Sequence, residues 1–76
     1  MKTRPLGKTG LQVSELGMGG LFIASKLSEY EQASAAVHRA IELGVNYCDT
    51  APGYYDSERV LGMALEGVEA PVILST

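Results

Sequence analysis

Two residues near the middle of this sequence are suited to acid–base chemistry at a short spacing, Asp49 and, five residues on, Tyr54. Asp49 directly follows the apolar-leaning stretch Val45 to Cys48. A carboxylate in such a place is costly unless it is paired. The active sites of parallel α/β folds gather at the C-terminal ends of strands. The competing reading is a carboxylate that accepts backbone N–H bonds within its own turn. Tyr54, in the loop beyond, can hand a proton to a substrate oxygen. At an ordinary phenol pKa of about 10 it needs a nearby cation to do so well. It reads equally as a loop tyrosine that caps the fold, and Tyr55 competes for either role.

The other candidates are weaker. Gly7-Lys8-Thr9 resembles the end of a phosphate-binding loop, but Lys2 stands where that loop needs its first glycine. Gly17-Met18-Gly19-Gly20 follows a strand, yet Phe22 occupies the third glycine position of a dinucleotide fingerprint. It reads as a strand-end bend. Gly62, inside a helical segment, is expected to permit close helix packing. His38 falls beside the apolar stripe of its helix and reads as a solvated surface histidine. Cys48 alternates with Asp49 along the strand, so it is expected to pack against a helix as a small hydrophobe. Glu29, Glu31 and Glu58 suit helix N-termini. One Cys and one His make a four-ligand zinc site unexpected, and no metal is implied. No carboxylate pair of fixed separation points to glycoside hydrolysis.

The elements that position these residues alternate. Lys2–Leu6 and Leu11–Ser14 read as a hairpin about the turn Gly7-Lys8-Thr9-Gly10, with Pro5 on an edge. Glu15–Gly20 reads as a short strand into a bend, followed by a loop over 21–27. Ser28 and Glu31 form a capping box for a helix whose stripe is Ala33, Ala36, Val37, Ala40 and Ile41. Gly44 ends that helix. Val45–Asp49 is the next strand. Asp56 or Ser57 caps a second helix, with Val60, Leu61, Ala64 and Leu65 on one face and Gly67 as its stop. Pro71–Thr76 is a third strand, too apolar for a solvated edge. Strands alternating with helices at this spacing imply a parallel sheet with right-handed crossovers.

The chain has 76 residues, a net charge of −3 and 46% hydrophobic residues. That is at most one small domain, globular in composition. The mild acidity argues against nucleic acid or an anionic membrane as partner. No stretch reaches the ~18 apolar residues of a membrane span. The basic start lacks an apolar region behind it. No signal peptide is read, and a cytoplasmic protein with a reduced cysteine is expected. A three-stranded open sheet stabilises itself poorly. A full eight-stranded α/β barrel takes about 250 residues, so the chain is expected to be the front part of a larger fold.

Four ordered segments carry a family resemblance. They are Leu6 to Ser14 (LGKTGLQVS), Leu16 to Gly20 (LGMGG), Gly44 to Tyr54 (GVNYCDTAPGY) and Ser57 to Leu65 (SERVLGMAL). Together they resemble the aldo-keto reductase family over nearly the whole chain. The resemblance implies an α/β fold, the N-terminal portion of a (β/α)8 TIM barrel. Its bottom would be plugged by hairpin 1–14, with the first two βα units and the third strand in 15–76.

The resemblance also implies hydride transfer between NADPH and a small-molecule aldehyde or ketone, or the reverse with an alcohol. Asp49 matches the catalytic Asp and Tyr54 the catalytic Tyr. Gly20, Leu21 and Asp49 fall where relatives approach the cofactor. The family's catalytic Lys and His would follow Thr76, so these 76 residues alone are expected to be inactive. The rest of the barrel would cover the open sheet edge. Tyr55 stands where many relatives carry Gly, which points to a different loop path after Tyr54. The alternative from another class is a non-catalytic binding or interaction module whose sheet edge is closed by a partner.

Overall fold

The computed structural model describes residues 1–23 and 26–76. The first turn folds as its glycines suggest. β1 (Thr3–Pro5) pairs antiparallel with β2 (Gln12–Ser14), with Thr3 opposite Ser14 and Pro5 opposite Gln12. The Thr9 hydroxyl donates to the Leu6 carbonyl at 2.6 Å, and the Thr9 backbone N–H donates to the same oxygen at 3.1 Å. Those bonds close the turn.

The remaining strands form a separate parallel sheet. β3 (Met18–Gly19), β4 (Tyr47–Asp49) and β5 (Ile73–Ser75) lie in the order β3-β4-β5. The register sets Met18, Cys48 and Leu74 in one row, and Gly19, Asp49 and Ser75 in the next. Side chains alternate along a strand, so the two rows face opposite sides of the sheet. The first row faces the helices. Cys48 is fully buried there in one core with Val37, Val60, Leu61 and Ala64.

Among the described residues, four helical pieces connect the strands. α1 (Gly20–Ile23) is a single turn that starts directly at the end of β3. The predicted loop over 21–27 is therefore helical at its start, and its centre, 24–25, lies outside the described residues. A 3₁₀ turn (Leu27–Glu29) precedes α2 (Tyr30–Glu42), and α3 (Ser57–Leu65) follows the loop after β4. Ala33 and Val37 of α2 are buried against Val60, Leu61 and Ala64 of α3. Burying a valine such as Val37 or Val60 fully contributes about 1.5–3 kcal/mol. Gly44 and Gly67 adopt φ of 101° and 79° just past the two long helices, the left-handed stops expected of them.

Several local expectations need correction. The capping box does not form. Ser28 lies inside the 3₁₀ turn, α2 begins two residues later, and Glu29 at its N-cap makes no side-chain capping bond. The Leu27 N–H instead donates to the Asp56 carboxylate at 3.3 Å. Ala36 is exposed, because the α2 stripe that meets α3 is narrower than the periodicity allowed. Among the described residues nothing lies within 4 Å of a Cβ built on Gly62, so that glycine does not serve close packing here. β5 sits at the sheet edge, and Leu74 is 52% exposed on the face where Cys48 has helices to cover it.

Candidate active site

All three parallel strands end at the same edge of the sheet, at Gly19, Asp49 and Ser75. The ladder runs one step further, since the Thr50 N–H donates to the Ser75 carbonyl at 2.8 Å. The hairpin lies at the opposite end. It is tied to Asn46, just before β4, where the Ser14 N–H donates to Asn46 Oδ1 at 2.7 Å. The strand-end edge is therefore the one the hairpin leaves open.

Asp49 stands half-buried in the middle of the row that faces away from the helices. Among the described residues no donor bonds its carboxylate, so the turn-capping alternative finds no such bond. A half-buried carboxylate left in this state favours a cation partner.

Tyr54 is half-buried, whereas Tyr55 is 82% exposed. That difference separates the two tyrosines. The backbone of Tyr54 is held on both sides, its N–H donating to the Ala51 carbonyl at 3.1 Å and its carbonyl accepting the Ser57 N–H at 2.9 Å. Tyr55 has φ of 53°. This is left-handed backbone, which costs a bulky side chain and suits glycine. Tyr55 thus occupies backbone of the kind glycine tolerates.

Gly20 is brought against the Asp49 segment. A Cβ there would stand 3.0 Å from the Asp49 carbonyl and 3.1 Å from Thr50 Oγ1, and it would overlap Ser57 Oγ. Only glycine allows β3 to turn so close to the end of β4. Leu21, on the same turn, is half-buried. A cleft of about 460 Å³ is lined by Lys26, Leu27, Ser28, Tyr55 and Asp56. Lys26 pairs with Glu29 at 3.7 Å across exposed surface.

Sequence reasoning missed two residues. Thr50 is buried and Ser57 has no exposed surface, and their hydroxyls meet at 2.5 Å. Of the two expected caps of α3, Asp56 holds the N-cap position without a side-chain capping bond, and Ser57 spends its hydroxyl on Thr50 instead. The signal was present in its spacing, because Ser57 stands three, four and seven residues before Val60, Leu61 and Ala64, on their buried face. His38 lies at the surface as expected, with one added contact. It is exposed, yet its Nε2–H donates to the Ala64 carbonyl at 2.6 Å and links α2 to α3. Burial pushes the Cys48 thiol above its ordinary pKa, as expected of a core residue.

Comparison with known proteins agrees with this architecture. The family model for the aldo/keto reductase family matches residues 15–76. The chain is 37% identical to an uncharacterised oxidoreductase, YqkF, of Bacillus subtilis over 100% of its own length and 24% of the relative's. It is 37% identical to an L-galactose dehydrogenase of Arabidopsis thaliana over 93% of its length and 24% of that protein. Its fold superposes on an aldo-keto reductase from Bacillus halodurans, solved in its holo form, with a TM-score of 0.84 and 38% identity. That match covers 97% of this chain and 24% of the other. The chain thus spans about a quarter of the length of the proteins it matches. The hairpin and the β-α-β-α-β order are the N-terminal portion of a (β/α)8 barrel. By the family match and the shared fold together, the chain belongs to the aldo/keto reductase family.

Proposed function

We propose that this chain supplies the proton-donating part of a carbonyl reductase site that uses NADPH, with a small aldehyde or ketone as substrate or an alcohol in reverse. The observation that carries the reading is Asp49. It stands half-buried at the open strand end without a donor among the described residues, one loop away from a half-buried Tyr54. As a carbonyl accepts hydride, its oxygen becomes an alkoxide. A phenol placed at that oxygen lowers the barrier by giving up its proton, an effect typically worth about 10²–10⁴-fold. Tyr54 is the residue assigned to donate it. Its acidity must be raised by a cation, and Asp49 is the group to hold that cation. The family resemblance makes the cation a lysine supplied by a segment other than these 76 residues, together with a histidine.

The residues fit one end of the cofactor. Among the described residues nothing lies within 4 Å of a Cβ built on Gly19, the register partner of Asp49, and Gly20 and Leu21 form the adjoining turn that would meet the cofactor. When bound, the dinucleotide supplies the hydride.

The test is steady-state carbonyl reduction by the protein as its own reading frame encodes it. Tyr54→Phe and Asp49→Asn should each lower kcat by about 10²–10⁴-fold, with little change in KM. The isolated 76-residue chain should show no turnover. A Tyr54→Phe variant with undiminished kcat, or turnover by the isolated chain, would overturn the reading.

A second reading rests on Leu74. An apolar residue 52% exposed on an edge strand suits a module whose sheet is closed by another protein. That reading predicts no reductase activity in any natural product carrying these residues.

A further inference from the structure

The loop that carries Tyr54 is closed at its base by two side chains with no evident structural need to be polar. Thr50 leaves β4 and Ser57 opens α3, and their hydroxyl oxygens lie 2.5 Å apart in the buried interior. Each side of the pair continues into an anchor. On one side the Thr50 N–H donates to the Ser75 carbonyl of β5 at 2.8 Å. On the other, the Ser57 N–H donates to the Tyr54 carbonyl at 2.9 Å. Gly20 closes the third side, since a Cβ there would overlap Ser57 Oγ and stand 3.1 Å from Thr50 Oγ1. Asp56 holds the N-cap position of α3 without a side-chain capping bond, and Ser57 is the first helical residue. Its hydroxyl is spent across the loop.

We infer that the Thr50–Ser57 hydroxyl pair is a clasp that positions Tyr54 for proton transfer. The inference rests on the reading of Tyr54 as the proton donor. The chain of bonds runs from β5 through Thr50 and Ser57 to the Tyr54 backbone, so the phenol is referenced to the strand ends rather than left on a free loop. The two hydroxyls bond each other rather than the Asp49 or Tyr54 side chain among the described residues, so both act as positioning residues. Opening the clasp leaves six loop residues held by fewer cross-links. A displacement of about 1 Å at a reacting group can cost 10²-fold in rate.

The experiment uses the protein as its reading frame encodes it, with Tyr54→Phe measured alongside. Thr50→Val and Ser57→Ala should each lower kcat by about 10–100-fold while KM stays within about threefold. The pH profile of kcat should shift in both, because the phenol's surroundings change. Thr50→Ser, which keeps the hydroxyl, should recover most of the lost rate. Each single variant strands one buried hydroxyl and risks poor folding. The double variant Thr50→Val/Ser57→Ala strands none, and its kcat should match that of the single variants rather than the product of their losses. Undiminished kcat in the double variant, with Tyr54→Phe inactive, would overturn the clasp and leave the proton donor standing. Losses that multiply, a failure of Thr50→Ser to recover rate, or an unshifted pH profile would overturn it as well. An active Tyr54→Phe would overturn both readings together.

Discussion

Ser14 and Asn46 bind each other twice across the gap between the hairpin and the parallel sheet. The Ser14 N–H donates to Asn46 Oδ1 at 2.7 Å, and the Asn46 N–H donates to the Ser14 hydroxyl oxygen at 3.1 Å. Asn46 Nδ2 adds a bond to the Gln12 carbonyl at 2.9 Å. One asparagine thus secures the end of β2 beneath β4. Asn46→Ala removes two of these bonds and leaves the part-buried Ser14 N–H unpaired. The expected loss is about 1–3 kcal/mol, read as a lower urea midpoint, with amides of β1 and β2 exchanging faster with deuterium.

Gly20→Ala should destabilise. The added methyl has backbone on one side and the Thr50–Ser57 pair on the other, and backbone has little freedom to give. Overpacking of this kind costs about 1–3 kcal/mol, measurable by chemical denaturation. The same variant should lower turnover, because the clasp must part to admit it.

Gly62→Ala should act in the opposite direction. The position is exposed within α3 and its Cβ would meet open space among the described residues. Replacing a helical glycine by alanine gains about 1 kcal/mol. A rise in melting temperature without change in kcat is the expected result, and a fall would restore the close-packing role the sequence suggested.

Tyr55→Gly should also stabilise slightly. Left-handed backbone costs an ordinary residue about 1–2 kcal/mol, and glycine gives back part of that gain as lost chain entropy. At 82% exposure little packing is forfeited. A net gain of about 0.5–1 kcal/mol in denaturant titrations is expected.

Cys48 gives a pH prediction. Its thiol is pushed above the ordinary value by burial, so the unfolded chain loses its proton first as pH rises. Below the ordinary thiol pKa of about 8.5 the residue contributes no pH dependence. Above it, stability should fall with rising pH until the folded-state pKa is passed. Cys48→Ala should flatten that alkaline slope in unfolding measured across the range. Alkylation of Cys48 in the native protein should be slow and limited by opening of the core.

The strand and helix order was legible in the sequence because two helical stripes and three short apolar runs admit few arrangements. Asp49 and Tyr54 were legible as candidates because strand ends gather chemistry. What escaped depended on which element lies across from which. Ser57 reads as one of two possible caps, with Asp56, until α3 is seen to turn it toward Thr50. His38 reads as solvated until the end of α3 is placed beside it. The apolar run at Ile73–Ser75 speaks for two covered faces, but cover is a property of neighbours, and a local stretch of chain does not encode whether they are near.

The central place of β4 has a consequence for synthesis. Met18 must wait for Cys48, thirty residues later, before β3 has any partner. At about 5–20 residues per second, that leaves the first strand alone for about 1.5–6 s on the ribosome. Loop closure from β4 to either neighbour differs by only about 0.1 kcal/mol, so chain entropy gives no preference between the two pairings. Growth of the sheet should therefore begin from its middle strand and spread to both sides, with the opening hairpin docking only after Asn46 has emerged to receive it.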